Sequence, residues 1–516
     1  MKNYNIIPIS FKNGIQRDGT PYHSNSCING QWVRFYEGCA RKMGGYEMTD
    51  IGSSEIARTL FAVPKPNSID LYIGRPSTVS YINIDIHGTA TSEINRTPAS
   101  YVADPDNVWC FDLFTNSSSG IVSSFIVGQV SKNGTDISST DEGPLFYGDI
   151  NNNDPLIPII DTDSLPVVAS GGIIFSSPVM VAYGKDGLMR WSDEGDISSW
   201  QSLTGSTKNY AVAANTKLVK AYRNRGGTAP SILIWSLNSL SRATYGQVGT
   251  QNTFVPTTIE DDISIMSSNC VVKYNQMFFW IGVDQFYFFN GIVQKLQNTM
   301  NNDWFFENVN LQYRQKIWGV AVPRYKEIWW FYPRGNSTEC NAAIIYNLEE
   351  EIWYDTLIDR SAGIPTSLYP YPVFADSSPT IFPTTAGPVN VFPIWTHEIG
   401  TNKVQGSNVY AIDSYFETRQ IDLWSQNPQE SNYLRNRRIA PDFVQTGSMY
   451  LTINAQKYPN SPIVSDGPYL FTKETEKLDF ASQGPIVSFL FRSNEAGGFY
   501  QSGKNLYFFE KGDTFK

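Results

Sequence analysis

Short segments of apolar and aromatic residues recur along almost the whole chain, separated by clusters of Gly, Asn, Asp, Ser and Pro. Clear examples are DLYIGRPSTVSYINID (70–85), SILIWSLNSLSRATYG (231–246), QMFFWIGVDQFYFFNG (276–291) and AAIIYNLEEEIWYD (342–355). Many come in pairs, with a polar turn between an apolar strand and an aromatic strand, which is typical of β-hairpins. The pattern therefore predicts an all-β fold built from consecutive hairpins.

Tryptophans mark these hairpins at regular intervals. Trp191, Trp235, Trp280 and Trp329 are separated by 44, 45 and 49 residues, and each introduces a similar phrase. A unit of about 40–50 residues with four short strands is the size of one β-propeller blade. Several β-sandwich domains are the alternative, but their cores need no such regular landmark. We therefore predict a β-propeller over residues 61–430, without a blade count.

Two regions inside this range are expected to be irregular insertions. Residues 115–153 are rich in Ser, Gly and Asn, which predicts long surface loops. Residues 365–393 have a Pro every few positions, which predicts a linker or projecting loop. The strand pattern returns at 408–424, where we expect the propeller to close. From residue 431 the pattern alternates with period two, so residues 431–516 are predicted to form a C-terminal antiparallel β-sandwich.

Near the start of the sequence, NGQWVRFYEGCARKMGGYE (29–47) has the pattern of a β-hairpin. An isolated hairpin is only marginally stable in water, so residues 1–60 are predicted to form a hairpin segment that packs on the rest of the protein. Trp32, Phe35 and Tyr36 are the candidate contacts, and each contributes about 1.5–3 kcal/mol when fully buried. The sequence leaves open whether they contact their own chain or a neighbouring subunit.

The composition limits the classes of function. Charged residues make up only 17% of the chain, which suggests that much of the surface meets other protein. The net charge of −10 argues against tight nucleic-acid binding, because affinity for phosphates comes from Lys and Arg. A signal peptide or membrane-spanning run is not apparent, so we expect synthesis in the cytoplasm and no membrane insertion.

Two motifs resemble catalytic or nucleotide-binding sites. WSDEGDISSW clusters Asp193, Glu194 and Asp196, and glycoside hydrolysis needs two facing carboxyl groups about 5–9 Å apart. Neighbouring acids in a Gly-containing turn usually cap backbone amides, so we favour a turn. GFYQSGKN (498–505) has the spacing of a phosphate-binding loop but lacks the following Ser or Thr and the helix, and is interpreted as a hairpin turn.

We predict no catalytic residue, no cofactor and no metal site. His23, His87 and His397 lie far apart and outside any zinc or nucleophile motif. DPDN (104–107) and DTD (161–163) could contact calcium, but turn capping explains them as well. The five cysteines are odd in number and never form C-x-x-C, so they are expected to be buried free thiols.

Two charged clusters are candidate interaction sites, each with a solvated surface as the alternative. An acidic hairpin tip could face DNA in a channel, and a basic cluster could contact an acidic neighbouring subunit. They comprise Glu349, Glu350 and Glu351, and Arg435, Arg437 and Arg438.

Several phrases together resemble the tail nozzle, or packaged-DNA stabilisation protein, of short-tailed bacteriophages. The similarity runs in order across most of the chain. The phrases are NGQWVRFYEGCARKMGGYE (29–47), DPDNVWCFDLF (104–114), SGGIIFSSPVMVAYGKDGLMRWSDEGDISSWQ (170–201), IWSLNSLSRATYG (234–246), WIGVDQFYFFNG (280–291), EIWWFYPRGNS (327–337) and FLFRSNEAGGFYQSGK (489–504).

This resemblance implies a structural virion protein built around a propeller, without known catalytic residues. It implies a ring of subunits, six in number, below the head–tail adaptor. Such a ring extends the DNA channel, retains the packaged genome and lets double-stranded DNA pass at infection. It also implies contacts with a tail fibre or spike and with a distal plug or needle. Acids along the lumen would repel phosphates, so that the duplex slides.

Two other functions remain open at this stage. The first is a propeller that binds or cleaves glycans, as a receptor-binding component would. The second is a cellular propeller that serves as a scaffold for protein partners. Loss of polysaccharide cleavage on Asp193→Ala would favour the glycan-cleaving enzyme.

Overall fold

A computed structural model of the chain describes residues 5–8, 12–118, 121–132, 136–161, 164–200, 209–224, 230–249, 251–364, 369–384, 387–422, 432–482 and 484–514. As predicted, this part of the chain is almost entirely β-structure. Its helices are one α-helix, Asn302–Asn308, and the 3₁₀ helices Lys185–Gly187, Leu311–Lys316 and Pro323–Tyr325. None of these helices is long and apolar enough to span a membrane.

Seven sheets of at least four strands follow one another in the described part of the chain, antiparallel except for one parallel pair in the seventh, and we number them blades 1 to 7. Blade 1 contains Thr59–Lys65, Ser68–Gly74, Val79–Asp85 and Ile94–Asn95. Blade 2 contains Asn107–Ser118, Ile121–Lys132, Gly143–Asp149, Ile157–Pro158 and Val168–Ala169. Blade 3 contains Gly172–Ser176, Val179–Tyr183, Leu188–Trp191 and Tyr210–Val212.

Blades 4 to 6 each have four strands in sequence order, whereas blade 7 has seven strands and includes one from the N-terminal region. Blade 4 contains Leu218–Asn224, Ser231–Ser236, Ser239–Val248 and Gln251–Asp261. Blade 5 contains Val272–Tyr274, Met277–Ile281, Phe286–Phe289 and Val293–Lys295. Blade 6 contains Trp318–Val322, Glu327–Tyr332, Ala342–Asn347 and Ile352–Leu357. Blade 7 contains Ala362–Ile364, Val373–Ala375, Thr380–Thr384, Gly387–His397, Tyr46–Ser53, Asn402–Gln405 and Asn408–Ala411.

The first strand of each blade in this order, its inner strand, faces a common axis. Inner strands of consecutive blades lie side by side from blade 1 to blade 4 and from blade 5 to blade 7, and blade 7 returns to blade 1. Blades 4 and 5 are joined by Tyr222, whose hydroxyl donates to the carbonyl of Val271 at 2.9 Å and whose ring lies 5.6 Å from that of Phe278. The sheets therefore form a seven-bladed β-propeller.

The tryptophan landmarks mark equivalent positions only in part. Trp235 and Trp280 lie in the second strands of blades 4 and 5, with ring centroids 5.7 Å apart. Their counterpart in blade 6 is Trp330, which shares their apolar cluster, whereas Trp329 faces the opposite side of the sheet. Trp191 lies in the third strand of blade 3. The predicted period thus holds for two blades, is off by one residue in the next and fails at Trp191.

The ring is closed by a strand from the beginning of the chain. Tyr46–Ser53 pairs antiparallel with Gly387–His397 and completes blade 7. We expected the closing strand at 408–424, and this was wrong. Asn408–Ala411 lies at the edge of blade 7, outside the strand from the N-terminal region. Pairing between strands so distant in sequence leaves no local pattern from which it could be predicted.

The region 115–153 contains strands where we expected loops. The first two strands of blade 2 form one long hairpin, and Gly143–Asp149 adds a third strand. The Ser and Asn content conceals the run FIVGQV (125–130), in which Ile126 and Val127 are fully buried. Because both faces of this run are covered, it does not alternate. Residues 119–120 and 133–135 lie outside the described residues.

The Pro-rich region 365–393 also contains strands. Thr380–Thr384 and Gly387–His397 pair as a hairpin that projects from blade 7, in which Pro383 stands opposite Pro388. Proline has no backbone N–H to donate to a neighbouring strand. Because the two prolines are paired, both missing donors fall at a single residue pair of the hairpin. Part of the prediction, over residues 365–368 and 385–386, lies outside the described residues.

A second β-unit, the C-terminal module, consists of sheets shared between the two ends of the chain. One sheet contains Asn5–Pro8, Leu506–Thr514, Asn432–Ala440 and Leu478–Ser482. The second contains Asn29–Gln31, Ser414–Glu417, Ile421–Asp422, Ile486–Ser493, Met449–Gln456 and Val464–Phe471. The third contains Phe443–Thr446, Phe499–Ser502, Cys39–Lys42 and Val33–Tyr36. A short parallel pair, Lys12–Ile15 with Ser26–Cys27, lies beside them.

The first two of these sheets pack face to face, as expected for a β-sandwich, with Phe489 and Tyr507 at a ring distance of 4.5 Å. The predicted boundaries 1–60, 61–430 and 431–516 differ from the observed units. Tyr46–Ser53 belongs to the propeller, while Ser414–Glu417 and the strands before residue 43 belong to the C-terminal module. Both units therefore combine early and late parts of the chain.

Candidate functional site

The N-terminal hairpin lies between blade 6 and the C-terminal module. Trp32 and Phe35 are buried, and Tyr36 is half-buried. The ring of Phe35 lies 5.6 Å from that of Tyr354, and the backbone N–H of Trp32 donates to the side chain of Thr356 at 3.0 Å. Both partners belong to blade 6, so these aromatic side chains contact their own chain.

Arg34 is the centre of this contact, and the sequence reasoning missed it. Its guanidinium is fully buried and binds the carboxylates of Glu327 at 3.0 Å and Glu398 at 2.7 Å. It also lies 3.5 Å from the ring centroid of Tyr325. Glu327 accepts further hydrogen bonds from the hydroxyl of Tyr354 at 2.5 Å and from an indole nitrogen. The signal in the sequence is a single charged residue within the apolar run WVRFY.

The electrostatics of this cluster follow from its burial. Burial raises the pKa of Glu327, while the charge of Arg34 opposes that rise. Burial acts to lower the pKa of Arg34, but the carboxylates of Glu327 and Glu398 outweigh it and the pKa stands raised. The three groups therefore depend on one another to remain charged inside the protein.

The basic cluster of the C-terminal module is neutralised largely within the chain. Arg437 binds Glu510 at 3.0 Å, and Arg438 binds Asp479 at 2.5 Å. Arg435 stands opposite Glu510 in the strand ladder. These ion pairs are partly exposed and contribute little to stability. A contact of Arg435, Arg437 or Arg438 with another subunit stays a prediction.

The three consecutive acids occupy the turn between the last two strands of blade 6. Glu349 binds Lys326 at 2.5 Å, and Glu350 accepts the backbone N–H of Gly38 at 2.8 Å. Glu351 is exposed, with a left-handed backbone φ of 53°. None of the three lines the propeller's own channel. Their position in a channel between subunits stays a prediction.

The acidic turn at Asp193 forms one wall of a small recess of about 260 Å³ at blades 3 and 4. Asp193 accepts hydrogen bonds from Ser199 at 2.6 Å and Asn209 at 2.8 Å. Glu194 accepts from Tyr245 at 3.0 Å, and burial together with this bond raises the pKa of that tyrosine. Asp196 caps the backbone of its own turn. Only Asp196 caps the backbone as the turn interpretation expects, whereas Asp193 and Glu194 accept hydrogen bonds from side chains.

The other predicted turns hold local hydrogen bonds. Asp104 accepts the N–H of Asp106 at 2.9 Å, and Asp161 accepts that of Leu165 at 3.0 Å. The rest of DTD, residues 162–163, lies outside the described residues. Lys504 of the phosphate-loop-like motif donates its N–H to Asp442 at 2.7 Å and lies between two strands. A group of three or more His, Cys, Asp or Glu side chains able to hold a metal does not occur in the described ranges.

The central channel of the propeller forms a cavity with a volume of about 1150 Å³. Inner strands of all seven blades line it. At blades 4 and 5, side chains from beyond the inner strands, such as Arg242 and Phe289, also line it. The charged side chains along its wall are Arg58, Asp112, Lys220, Arg223, Arg242 and Lys273.

His397 is buried at the base of blade 7, whereas His23 and His87 are exposed. The Nε of Arg360 donates to Nε2 of His397 at 2.9 Å, and the ring of Tyr46 stacks on the imidazole at 4.8 Å. Burial, and then the charge of Arg360, lowers the pKa of His397 well below its ordinary value. The imidazole is therefore neutral in the folded protein.

This burial predicts a dependence of stability on pH. Below about pH 6.5 the unfolded chain protonates His397 while the folded chain does not, so stability is full above that pH and falls by about 1.4 kcal/mol per pH unit below it. His397→Gln keeps an acceptor for Arg360 and should flatten this slope between about pH 6.5 and 5. Melting temperatures across this range test it, with His87→Gln as the control that keeps the original slope. Equal slopes for both variants would contradict the prediction.

No protein-family model and no curated protein matches the chain. Among solved structures, the WD40 domain of Toxoplasma gondii coronin is similar with a TM-score of 0.34 and 8% identity, over 86% of this chain and 89% of that chain. The exo-β-1,3-galactanase of Phanerochaete chrysosporium bound to galactose has a TM-score of 0.28 and 8% identity, over 87% and 95%. At these TM-scores the likeness carries no argument, so the propeller assignment rests on the sheets.

Proposed function

We propose that this chain is a structural subunit of a phage tail nozzle, which extends the DNA channel below the head–tail adaptor, retains the packaged genome and lets it leave. The proposal rests on one observation: sequence phrases that resemble the tail nozzle family contact one another in the folded chain. The hairpin of phrase 29–47 binds phrase 327–337 through Arg34 and Glu327. It pairs with phrase 489–504 through Arg41 and Gln501. Three phrases distant in sequence thus form a single joint.

This joint suits a protein that transmits force without changing shape. It fixes the propeller to the C-terminal module through a buried ionic cluster and a continuous apolar core that includes Trp329, Phe331, Phe489 and Phe491. Interiors packed in this way resist deformation. A ring made of such subunits would act as a stiff wall around the genome.

The size of the propeller channel supports a DNA path between subunits. Spread over a strand length of about 17 Å, the cavity of about 1150 Å³ corresponds to a bore of about 12 Å once the radius of a water molecule, about 1.4 Å, is added at each wall. The major groove of B-DNA alone is about 12 Å wide, so a duplex does not pass through one propeller. A conduit for DNA therefore requires several copies around a common axis, and six is the number we propose. The net charge of −10 per chain would keep the duplex from adhering.

Phage particles made with and without this chain test the proposal. Cryo-electron microscopy of complete particles should find the chain as a ring below the adaptor. Particles assembled without the chain should release their genome early. Added nuclease should then degrade most of their DNA, whereas the DNA of complete particles stays protected. A chain absent from particles, or a genome equally protected without it, would contradict the proposal.

The recess at Asp193 supports a second candidate, a propeller that binds or cleaves glycans. It places Asp193 and Glu194 beside Trp191 and Tyr245, and carboxylates next to aromatic rings are common in sugar-binding sites. Incubation with surface polysaccharides separates the two functions. Release of sugar ends that is lost in Asp193→Ala would favour the enzyme and count against the nozzle.

A further inference from the structure

The central channel has an unusual charge for this protein. The charge of Arg58 is neutralised by its ion pair with Glu339 at 2.6 Å. Four other cations line the channel on strands of blades 4 and 5, and the only carboxylate in the described lining is Asp112. These cations are Lys220, Arg223, Arg242 and Lys273. A chain with a net charge of −10 thus encloses a positive cavity.

Two of these cations are partly satisfied by the protein. Arg223 binds one oxygen of Asp112, whose other oxygen accepts the backbone N–H of Phe175 at 2.7 Å. Lys273 donates to the backbone carbonyl of Arg223 at 3.3 Å. Asp112 also acts electrostatically on Lys220, but a single carboxylate neutralises one of the four positive charges at most.

The other two cations, Lys220 and Arg242, have no carboxylate partner within the described residues. The ammonium group of Lys220 lies 5.3 Å from the ring centroid of Tyr222. Arg242 has a buried Nε without a hydrogen-bond acceptor. Keeping charge in a partly desolvated cavity without a counter-charge is unfavourable. An anion between them would remove that cost.

The shape of the cavity agrees with a small organic ligand. Its volume of about 1150 Å³ is near the upper end of the range of about 300–1,000 Å³ for ligand sites. Phe278 and Phe289 line the same wall as the cations, and the ammonium group of Lys273 lies 5.4 Å from the ring of Phe278. Such a wall suits a ligand that has a flat body and an anionic group.

We infer that the propeller channel is a binding site for an organic anion, in which Lys220 and Arg242 hold a carboxylate, sulfate or phosphate group that enters between blades 4 and 5. Low-dielectric walls of one sign focus the potential and raise the local concentration of such ligands. The site is independent of the proposed role in the tail, because it lies within one propeller.

Calorimetric titration of the full chain at constant ionic strength tests this site. The probes are trigalacturonate for carboxylates, phenyl phosphate for phosphates, and neutral galactotriose. We expect saturable binding of at least one anion and none of galactotriose, and the anion that binds identifies the group recognised. Lys220→Met and Arg242→Gln should each weaken binding by about tenfold or more, as expected for a lost hydrogen bond to a charged group.

Two further variants separate a binding role from folding. Lys220→Arg keeps the charge and should retain more affinity than Lys220→Met at a comparable melting temperature. Lys473→Met removes one positive charge from an exposed side chain of the C-terminal module and should leave the affinity unchanged. Absence of saturable binding by both anions, or equal loss of affinity in Lys473→Met and Arg242→Gln, would overturn the inference.

Discussion

Arg34→Met is expected to lower the free energy of unfolding by about 3–5 kcal/mol, because it leaves a buried carboxylate without its counter-charge. Glu327 is fully buried, and its remaining partners are neutral hydrogen-bond donors. The midpoint of urea unfolding measures this loss. In the variant, Glu327 is stabilised by taking up a proton, so the loss should shrink as the pH falls from about 8 to 5. The variant gains stability as the pH falls because a carboxyl group whose pKa is raised in the folded state binds more protons there than in the unfolded state.

Two variants control for this prediction. In Arg34→Met with Glu327→Gln the buried carboxylate is removed as well, so the double variant should be more stable than Arg34→Met alone. Arg492→Met breaks an exposed ion pair with Asp413, formed at 2.6 Å, and should cost about 0–1 kcal/mol. If Arg34→Met costs no more than Arg492→Met, the cluster is not what holds the hairpin to blade 6.

Gly52→Ala is expected to destabilise the closing strand of the propeller by about 2–5 kcal/mol. Gly52 has a left-handed φ of 75°, and a Cβ there would lie 1.9 Å from the carbonyl oxygen of Phe392. The strand must shift, and the pairing that closes blade 7 weakens. A lower melting temperature and faster proteolysis within Tyr46–Ser53 measure the effect.

The matched control is Gly246→Ala, in the third strand of blade 4. No atom lies within 4 Å of a Cβ built at Gly246, so this change should be neutral or slightly stabilising, because Ala loses less backbone entropy than Gly. Similar melting temperatures for the two variants would show that closure does not depend on the close approach at Gly52.

The sequence allowed the class of fold to be predicted because hairpins are local. The hairpin predicted in SILIWSLNSLSRATYG corresponds to the second and third strands of blade 4. Buried runs such as FIVGQV escaped prediction, since a strand covered on both faces does not alternate. The closing strand and the Arg34–Glu327 pair also escaped, because they join positions about 300 or more residues apart, and separation of this kind leaves no periodicity to detect.

The candidate site was predictable only in part. Trp32, Phe35 and Tyr36 could be singled out because large aromatic side chains in a short hairpin need a surface to cover. The cations of the channel could not be predicted as a group. Lys220 lies in the first strand of blade 4, Arg242 in the third strand of blade 4 and Lys273 in the first strand of blade 5. Their proximity is produced by the closing of the ring, not by spacing along the chain.

The N-terminal closing strand has a consequence for synthesis on the ribosome. Its partner, Gly387–His397, is made more than 300 residues later, which takes about 15–70 s at about 5–20 residues per second. During this interval the emerging polypeptide carries an unpaired β-edge and uncovered aromatic side chains, features that promote aggregation. The yield of folded protein should therefore depend on keeping this early segment away from other nascent chains, as a chaperone does.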